Sequence, residues 1–505
     1  MKHIDELFAP GEILSGQLDG KQLTEEEVRG LPDFQISGIA YDSRTAGPGD
    51  LFCAIRGYET DGHRFIPQAV GSGVTAVLCE EIPEGNFPGV LFIRAENTRH
   101  LLGPAAARFY DMPCDSMTTV GVTGTNGKTS ITSLTRDIFA KAGYKAGLIG
   151  TIHNMIGDEI LDNKGRTTPE SSDMQALLAH MRDQGCSFVA AEGSSHALYL
   201  DRLNGTRFDY SIFTNLTQDH IDFHKTMEDY YQAKKKLFAM TRRADIINID
   251  DEHGRRLYGE LQNGPLPVYS YGFSPEADFQ TKDLDLSLQG TEFTIGRKDG
   301  DIRIFTPVIG DFMAVNATAA AAAALLEGID AETIREALAE PSEITGRMDL
   351  VKTGAPFDVI IDYAHSPDSL EKLLQTVKDI HPDGKVVVVF GANGDRDKAK
   401  RPMMGRAAGA NADFVVVTSD NPASEEPQAI IDAVVEGVRE KTDRYETVIR
   451  RQDGIRRAAE LCEPGDVLVC AGKGHELQEI LQDGYHPYSE WDTVREAVRS
   501  LGWEA

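Results

Sequence analysis

Residues 121–130 read GVTGTNGKTS and stand between a β-branched run and the helical run ITSLTRDIFAKAG. A glycine-rich turn between strand and helix lets backbone N–H groups wrap a phosphate at a helix N-terminus, where the helix dipole favours negative charge. Gly124, Thr125, Asn126 and Gly127 make that turn, and Ser130 continues it into the helix. Lys128 is placed to reach β and γ phosphates, and Thr129 to hold Mg²⁺. The loop is tighter than G-x-x-x-x-G-K-[ST], because Val122 stands where that pattern has glycine. An ordinary glycine-rich turn has no use for the Lys-Thr pair, so the chemistry expected here is ATP-dependent.

Two later strands carry groups to complement a nucleotide. SFVAAEGSSH places Glu192 at a strand's carboxyl end, where open α/β sheets collect ligands. FTNLTQDHIDFH brings Asp219, His220, Asp222 and His224 towards the same rim. Mg²⁺ takes hard oxygen ligands and keeps several waters, so one carboxylate with phosphate oxygens is enough. Glu192 is the best candidate. A single histidine at a strand end is more often structural, and spacing alone leaves His220 open as a ligand.

These residues need elements to position them. From residue 118 onward, TTVGVTG, KAGLIGT, SFVAAEGSS, YSIFTNL and ADIINID alternate with helical stretches, the βαβ pattern of a mostly parallel sheet. A second series, FDVIIDYAHS, KVVVVFGANG, DFVVVTSDN and VLVCAGKGH, predicts a separate Rossmann-like α/β domain. Before residue 110, ISGIAYDSR, GDLFCAI, TAVLCE and VLFIR predict a small mixed α/β domain. Linkers are expected near Tyr110 to Met117 and Glu340 to Arg347, giving an α/β protein of three domains, 1–113, 114–344 and 345–505. The alanine run 319–324 reads as a closely packed helix.

The 505 residues carry 80 Asp plus Glu against 51 Lys plus Arg, a formal net charge of −29. Such a field repels nucleic acid and anionic membranes, so neither is expected as a partner. Six cysteines without a C-x-x-C pair fit a reducing cytoplasm. No signal peptide and no apolar run of membrane-spanning length is evident, so the chain reads as a soluble cytoplasmic protein.

GTNGKT, TTPESS (167–172), EGSSH (192–196), TNLTQDHIDFH and TMEDYYQAKKKLF (226–238) follow in the order of the Mur ligases, and together they resemble the ATPase core of that family. These enzymes build the peptide of bacterial cell-wall precursors. GRMD (346–349), DYAHSPD (362–368), GANGDRDKAKRPMMG (391–405), TSDNP (418–422) and AGKGHE (471–476) are similar to the branch that adds a diamino acid, as are YDSR and GDLFCAIRGYETDGH near the N-terminus.

The resemblance implies a monomeric ligase of peptidoglycan synthesis. ATP converts the D-Glu side-chain carboxylate of UDP-MurNAc-L-Ala-D-Glu into an acyl phosphate, which an amine then attacks. It implies two metal sites, one involving Thr129 and Glu192 and the other His220, with Lys234, matched through Tyr230, Ala233, Leu237 and Phe238, carrying a carbamate that helps hold the second metal. Ser43 is implied for the uridine diphosphate, and Thr167, Thr168, Ser194 and Arg202 for the rest of that substrate. Asn316 is implied at the adenine, with Arg347 and Asp362 reaching phosphate and ribose, which requires the third domain to close on the second. Met313 departs from the family's usual asparagine.

For the acceptor, the resemblance implies Arg396 as the clamp on the α-carboxylate, with Asp420, Asn421, Gly472 and Glu476 lining the pocket. In relatives that add meso-diaminopimelate, D-N-P is followed by arginine; here it is followed by Ala423. Without that cation, Asp420 and Glu476 are expected to leave a negative pocket that selects a terminal ammonium. L-lysine is the expected acceptor, L-ornithine the next, and meso-diaminopimelate remains open if Arg401 fills the space. Two alternatives are a folate-type glutamate ligase and a non-ligating ATP-dependent switch. The N-terminal motifs argue against the first, and joint retention of Glu192, His220, Lys234 and Arg396 against the second.

Overall fold

The computed structural model describes every residue except Asp33, Tyr58, Glu59, Lys164, Glu343, Glu504 and Ala505. Tyr58 and Glu59 of the GDLFCAIRGYETDGH segment therefore lie outside the described residues. The chain forms two compact units. One comprises residues 1–121, 144–211 and 233–243, and the other 122–143, 212–232 and 244–505.

In the first unit, Gly38–Ala40, Asp50–Cys53, Ala76–Cys79 and Leu91–Arg94 pair in parallel. Ser15–Leu18 and Lys21–Leu23 extend that sheet antiparallel. Each N-terminal run expected as a strand is one. The four residues Ala76–Cys79 are all buried, the continuous apolar run of a strand covered on both faces. The same unit holds the parallel pair Ala146–Ile149 and Phe188–Glu192, with the hairpin Asn154–Ile156 and Glu159–Leu161 beside it. Glu192 thus ends a fully buried strand.

In the second unit, the helix Lys128–Lys141 follows the phosphate loop and packs on the helix Asp311–Glu327. The alanine run lies inside that second helix with Ala319 to Ala324 wholly buried, so the small side chains serve close packing. An antiparallel meander, Phe279–Ser287, Gly290–Gly296 and Ile302–Thr306, also belongs here. The C-terminal sheet has the order Asp349–Leu350, Asp358–Asp362, Val467–Ala471, Val386–Phe390, Phe414–Thr418, Tyr445–Val448, and all pairs but the first are parallel.

That order sets the chemistry. DYAHSPD, GANGDRD, TSDNP and AGKGHE each begin at or just beyond the carboxyl end of one of four adjacent parallel strands, so they share a rim, the position where doubly wound sheets bind ligands. The helices Lys400–Asn411 and Pro427–Arg439 flank it, and Gly437 lets them touch: a Cβ there would meet the Pro402 carbonyl oxygen. Trp491, on the last helix Glu490–Ser500, donates its indole N–H to Asp349 at 2.9 Å. Among the described residues no helix is long and apolar enough to cross a membrane, and all six cysteines are free thiols.

Candidate active site

The phosphate loop is held by a second loop. Thr125 N–H donates to the Asn215 carbonyl at 2.9 Å, Asn126 N–H to Asn215 Oδ1 at 3.0 Å, and Thr214 Oγ1 to the Asn126 carbonyl at 2.6 Å. Gly124 (φ 153°) and Gly127 (φ 88°) adopt conformations that favour glycine, and a Cβ on Gly127 would lie 2.7 Å from Asn316 Oδ1. Gly127 caps the helix without a side chain. Lys128 folds back onto the carbonyls of Gly124 (2.9 Å) and Thr125 (2.8 Å), while Thr129 and Ser130 are buried in the first turn. Asn316 is buried and donates to Met313 Sδ at 3.6 Å, so the departure at 313 leaves a sulfur acceptor where the family has an amide.

The C-terminal rim meets this loop within the same unit. Asn126 Nδ2 donates to Asp368 Oδ2 at 3.1 Å. Buried Lys400 lies 3.5 Å from Asp219 Oδ1, and His365 lies 3.9 Å from Asp219 Oδ2. Burial alone would raise the Asp219 carboxyl, but Lys400, His220 and His365 hold it well below the usual carboxylate range. Burial, with Lys400, pushes His365 down to about 4, so it is neutral near pH 7. His220 begins a short helix at φ 56° with its side chain 38 % exposed, whereas His224 is buried and stacked on Tyr230 at 4.9 Å. Tyr230 in turn meets Thr125 of the phosphate loop at 3.1 Å. Of the four rim groups, Asp222 is exposed and His224 is a packing residue. Arg347 lies over the Tyr363 ring at 4.7 Å. Asp362 accepts from Met348 N–H (2.8 Å) and Ala364 N–H (2.7 Å), and burial raises its carboxyl despite nearby Arg347.

In the first unit, Glu192 is buried, with Thr151 N–H (2.8 Å) on one oxygen and Thr151 Oγ1 (2.9 Å) on the other. Thr168 bonds to the Glu192 carbonyl (2.8 Å) and Ser194 (3.3 Å), and Thr167 accepts from Thr151 (3.1 Å). Arg202 lies 3.6 Å from Glu170, which Arg99 approaches at 3.2 Å, and burial lowers the Arg202 pKa. Two arginines on one carboxylate leave a positive excess suited to an anion. Ser43 is buried and donates to Gln68 at 3.1 Å. Of the consecutive lysines, Lys234 is 1 % exposed, Lys235 is intermediate, and exposed Lys236 pairs with Asp201 at 3.0 Å.

The comparisons with known proteins run through these same segments. Residues 35–110 match the Mur ligase family catalytic domain, 122–324 the Mur ligase middle domain, and 346–474 the Mur ligase glutamate ligase domain. The UDP-N-acetylmuramoyl-L-alanyl-D-glutamate–2,6-diaminopimelate ligase of Caldanaerobacter subterraneus is 41% identical over 475 residues, 94% of this chain and 97% of that protein. The chain belongs to the Mur ligases, in the MurE family. A second MurE relative, from Clostridium acetobutylicum, is 40% identical over 94% of this chain and 97% of its own length. A solved structure of a ligase with the same printed name has 30% identity and a TM-score of 0.67, covering 92% of this chain and 95% of that one. The expected three-domain α/β organisation of a MurE enzyme holds, as does its use of ATP with Mg²⁺.

The acceptor motifs of this MurE chain depart from expectation at two places. Asp420 and Glu476 do not form an uncompensated negative pocket, because wholly buried Lys473 lies 3.5 Å from the first and 3.4 Å from the second. Arg401 does not fill the space beside Ala423: it is buried in a bidentate pair with Glu425 at 3.0 and 2.8 Å. Ala423 sits at φ 51° with its N–H on the Ile480 carbonyl, Asn421 bridges to Glu476 at 2.8 Å, and Arg396 is exposed on its loop. Sequence reasoning passed over Lys473, although it stands inside AGKGHE between Gly472 and Glu476; a lysine three residues before an acidic pocket position was the available signal. It also missed Arg451, fully buried and paired with Glu490, whose Nη2 holds the Ala471 carbonyl at 3.0 Å.

Proposed function

We propose that this enzyme joins a diamino acid to the D-Glu side-chain carboxylate of UDP-MurNAc-L-Ala-D-Glu in the cytoplasm, as a monomer carrying all three domains. The observation that carries this reading is the bond from Asn126 of the phosphate loop to Asp368 of DYAHSPD, which joins nucleotide loop and acceptor domain in one compact unit. In the reaction the substrate carboxylate oxygen attacks the γ-phosphorus and ADP leaves. The acceptor amine then attacks the acyl carbon, and phosphate and a proton depart.

Gly124 to Ser130 hold the phosphates, Lys128 turning from the loop carbonyls to the nucleotide. Asn316 meets the adenine, with Arg347 and Asp362 at phosphate and ribose. Thr167, Thr168, Ser194 and Arg202 hold the peptide-bearing substrate, and Ser43 its uridine diphosphate. The donors fit Mg²⁺. Thr129, a hydroxyl in the first helical turn, and Glu192, a carboxylate oriented by Thr151, would serve one metal, and His220 a second. Among the described residues no group of three or more His, Cys, Asp or Glu is placed to hold a metal ion. Bound Mg²⁺ neutralises charge on the transferring phosphoryl group. Lys234 would carry a carbamate, because a bare ammonium would repel the metal whereas a carbamate offers it an anionic oxygen, and burial shields the group from bulk water.

For the acceptor, Arg396 takes the α-carboxylate, and Asp420, Asn421, Gly472 and Glu476 the distal end. L-lysine is our reading, with L-ornithine next, because Ala423 offers no cation to a distal carboxylate and Arg401 is committed to Glu425. A second reading, meso-diaminopimelate, is favoured by the relatives' names and by the partial neutralisation that Lys473 supplies. The purified enzyme with ATP, UDP-MurNAc-dipeptide and each amino acid in turn decides. ADP release should require both co-substrates, with kcat/KM for L-lysine about a hundredfold above that for meso-diaminopimelate. Preference for meso-diaminopimelate overturns the L-lysine reading, and ADP release without an amino acid overturns the ligase.

A further inference from the structure

Lys473 holds no substrate in the roles assigned above. Its side chain is wholly buried, donates to Asn421 Oδ1 and to the Gln478 carbonyl (3.0 Å), and lies 5.2 Å from the Tyr488 ring centroid. Asn421 accepts Ile480 N–H at 3.0 Å and gives its own amide to Glu476, so one ammonium organises the pocket's polar groups. Gly472 presses on the other carboxylate: a Cβ there would be 2.6 Å from Asp420 Oδ2. Asp420 Oδ1 is buried, 3.5 Å from Lys473 Nζ and without a hydrogen bond, so it feels the ammonium's charge yet can still accept a bond from a ligand.

The charges count simply. Among the side chains ion-paired here, Asp420 and Glu476 are two negatives and Lys473 one positive, while Arg451 and Glu490 behind them cancel each other; half-buried Glu479 acts on them only at longer range. Two buried carboxylates without a counter-charge would repel one another and draw a proton or a second cation. With Lys473 present, the unbonded Asp420 oxygen is matched to one ammonium.

We propose that Lys473 is a specificity-determining positioning residue: it cancels one carboxylate of the acceptor pocket and fixes Asn421 and Glu476, leaving one net negative charge for one ammonium of the acceptor. The proposal rests on the reading of this rim as the acceptor site.

Three proteins test it: Lys473→Met, Glu476→Gln and the double variant, each checked for folding by thermal melting. Lys473→Met is expected to raise acceptor KM about tenfold while kcat and the KM for ATP and UDP-MurNAc-dipeptide stay within about threefold. The double variant restores the net charge, so its acceptor KM should fall about threefold below that of Lys473→Met even though the Glu476 contact is lost, which a merely structural lysine would not allow. A folded Lys473→Met enzyme with unchanged acceptor KM overturns the proposal. So does a double variant that fails to recover, or that fails to fold when Lys473→Met also fails. If the wild-type enzyme shows no acceptor-dependent ADP release, the functional reading falls instead.

Discussion

Three consecutive lysines on one helical turn face three different environments, and that difference gives the residue scale its sharpest test. Lys234 is buried while Lys236 is exposed on Asp201, so a substitution series separates a buried reactive amine from a solvated one. Lys234→Ala should lower kcat on the order of a hundredfold, with partial recovery on adding a small carboxylate such as formate. Lys236→Ala should stay within about twofold. Full activity in the first variant would remove the carbamate assignment. At this scale the sequence was legible where a type and a motif coincide: Lys128 opens the helix after the glycine-rich loop, and Glu192 ends the strand expected to carry it. It was not legible where charge balance depends on burial, as with Lys473, or where a histidine's neighbour decides its use, as with His224 against Tyr230.

Helices and strands were readable when both faces are covered. Val386–Phe390 and Val467–Ala471 are unbroken β-branched or apolar runs because helices pack on each side of the sheet. The meander strand FQTKDLDLS is harder to see: half of it faces water and its register shifts between Lys282 and Asp285. At the acceptor rim, the start of the helix Lys400–Asn411 is tied by Arg401 to Glu425, two residues before the helix Pro427–Arg439. Hydrogen bonds from Arg401 hold the Glu425 carboxyl down to about 2. A depressed carboxyl adds stability above its unfolded value, and that stability is lost as pH falls through the folded one. The melting temperature of the wild type should therefore exceed that of Glu425→Gln at pH 7, the gap closing between about pH 4.5 and pH 2. A gap that does not change with pH would mean the pair contributes by shape and not by charge.

For the whole molecule, net charge and ligand charge conflict. A formal charge of −29 opposes the approach of two anionic nucleotides, while Arg99 and Arg202 around Glu170, and Lys128 in its loop, act only at short range. Salt screens the long-range part first. Raising ionic strength from about 10 to about 150 mM should therefore lower KM for UDP-MurNAc-dipeptide, the reverse of a binding site whose distant field attracts. A KM that rises steeply with salt would show local cations to dominate even at distance.

The chain has two tryptophans, Trp491 with its indole N–H on Asp349 and Trp503, and both follow the segment 346–474 that matches the glutamate ligase domain. Neither the segment 35–110 nor the segment 122–324 contains one. Intrinsic indole emission is thus a built-in optical label for the C-terminal part. A change in that emission reports on the C-terminal part, with no dye attached.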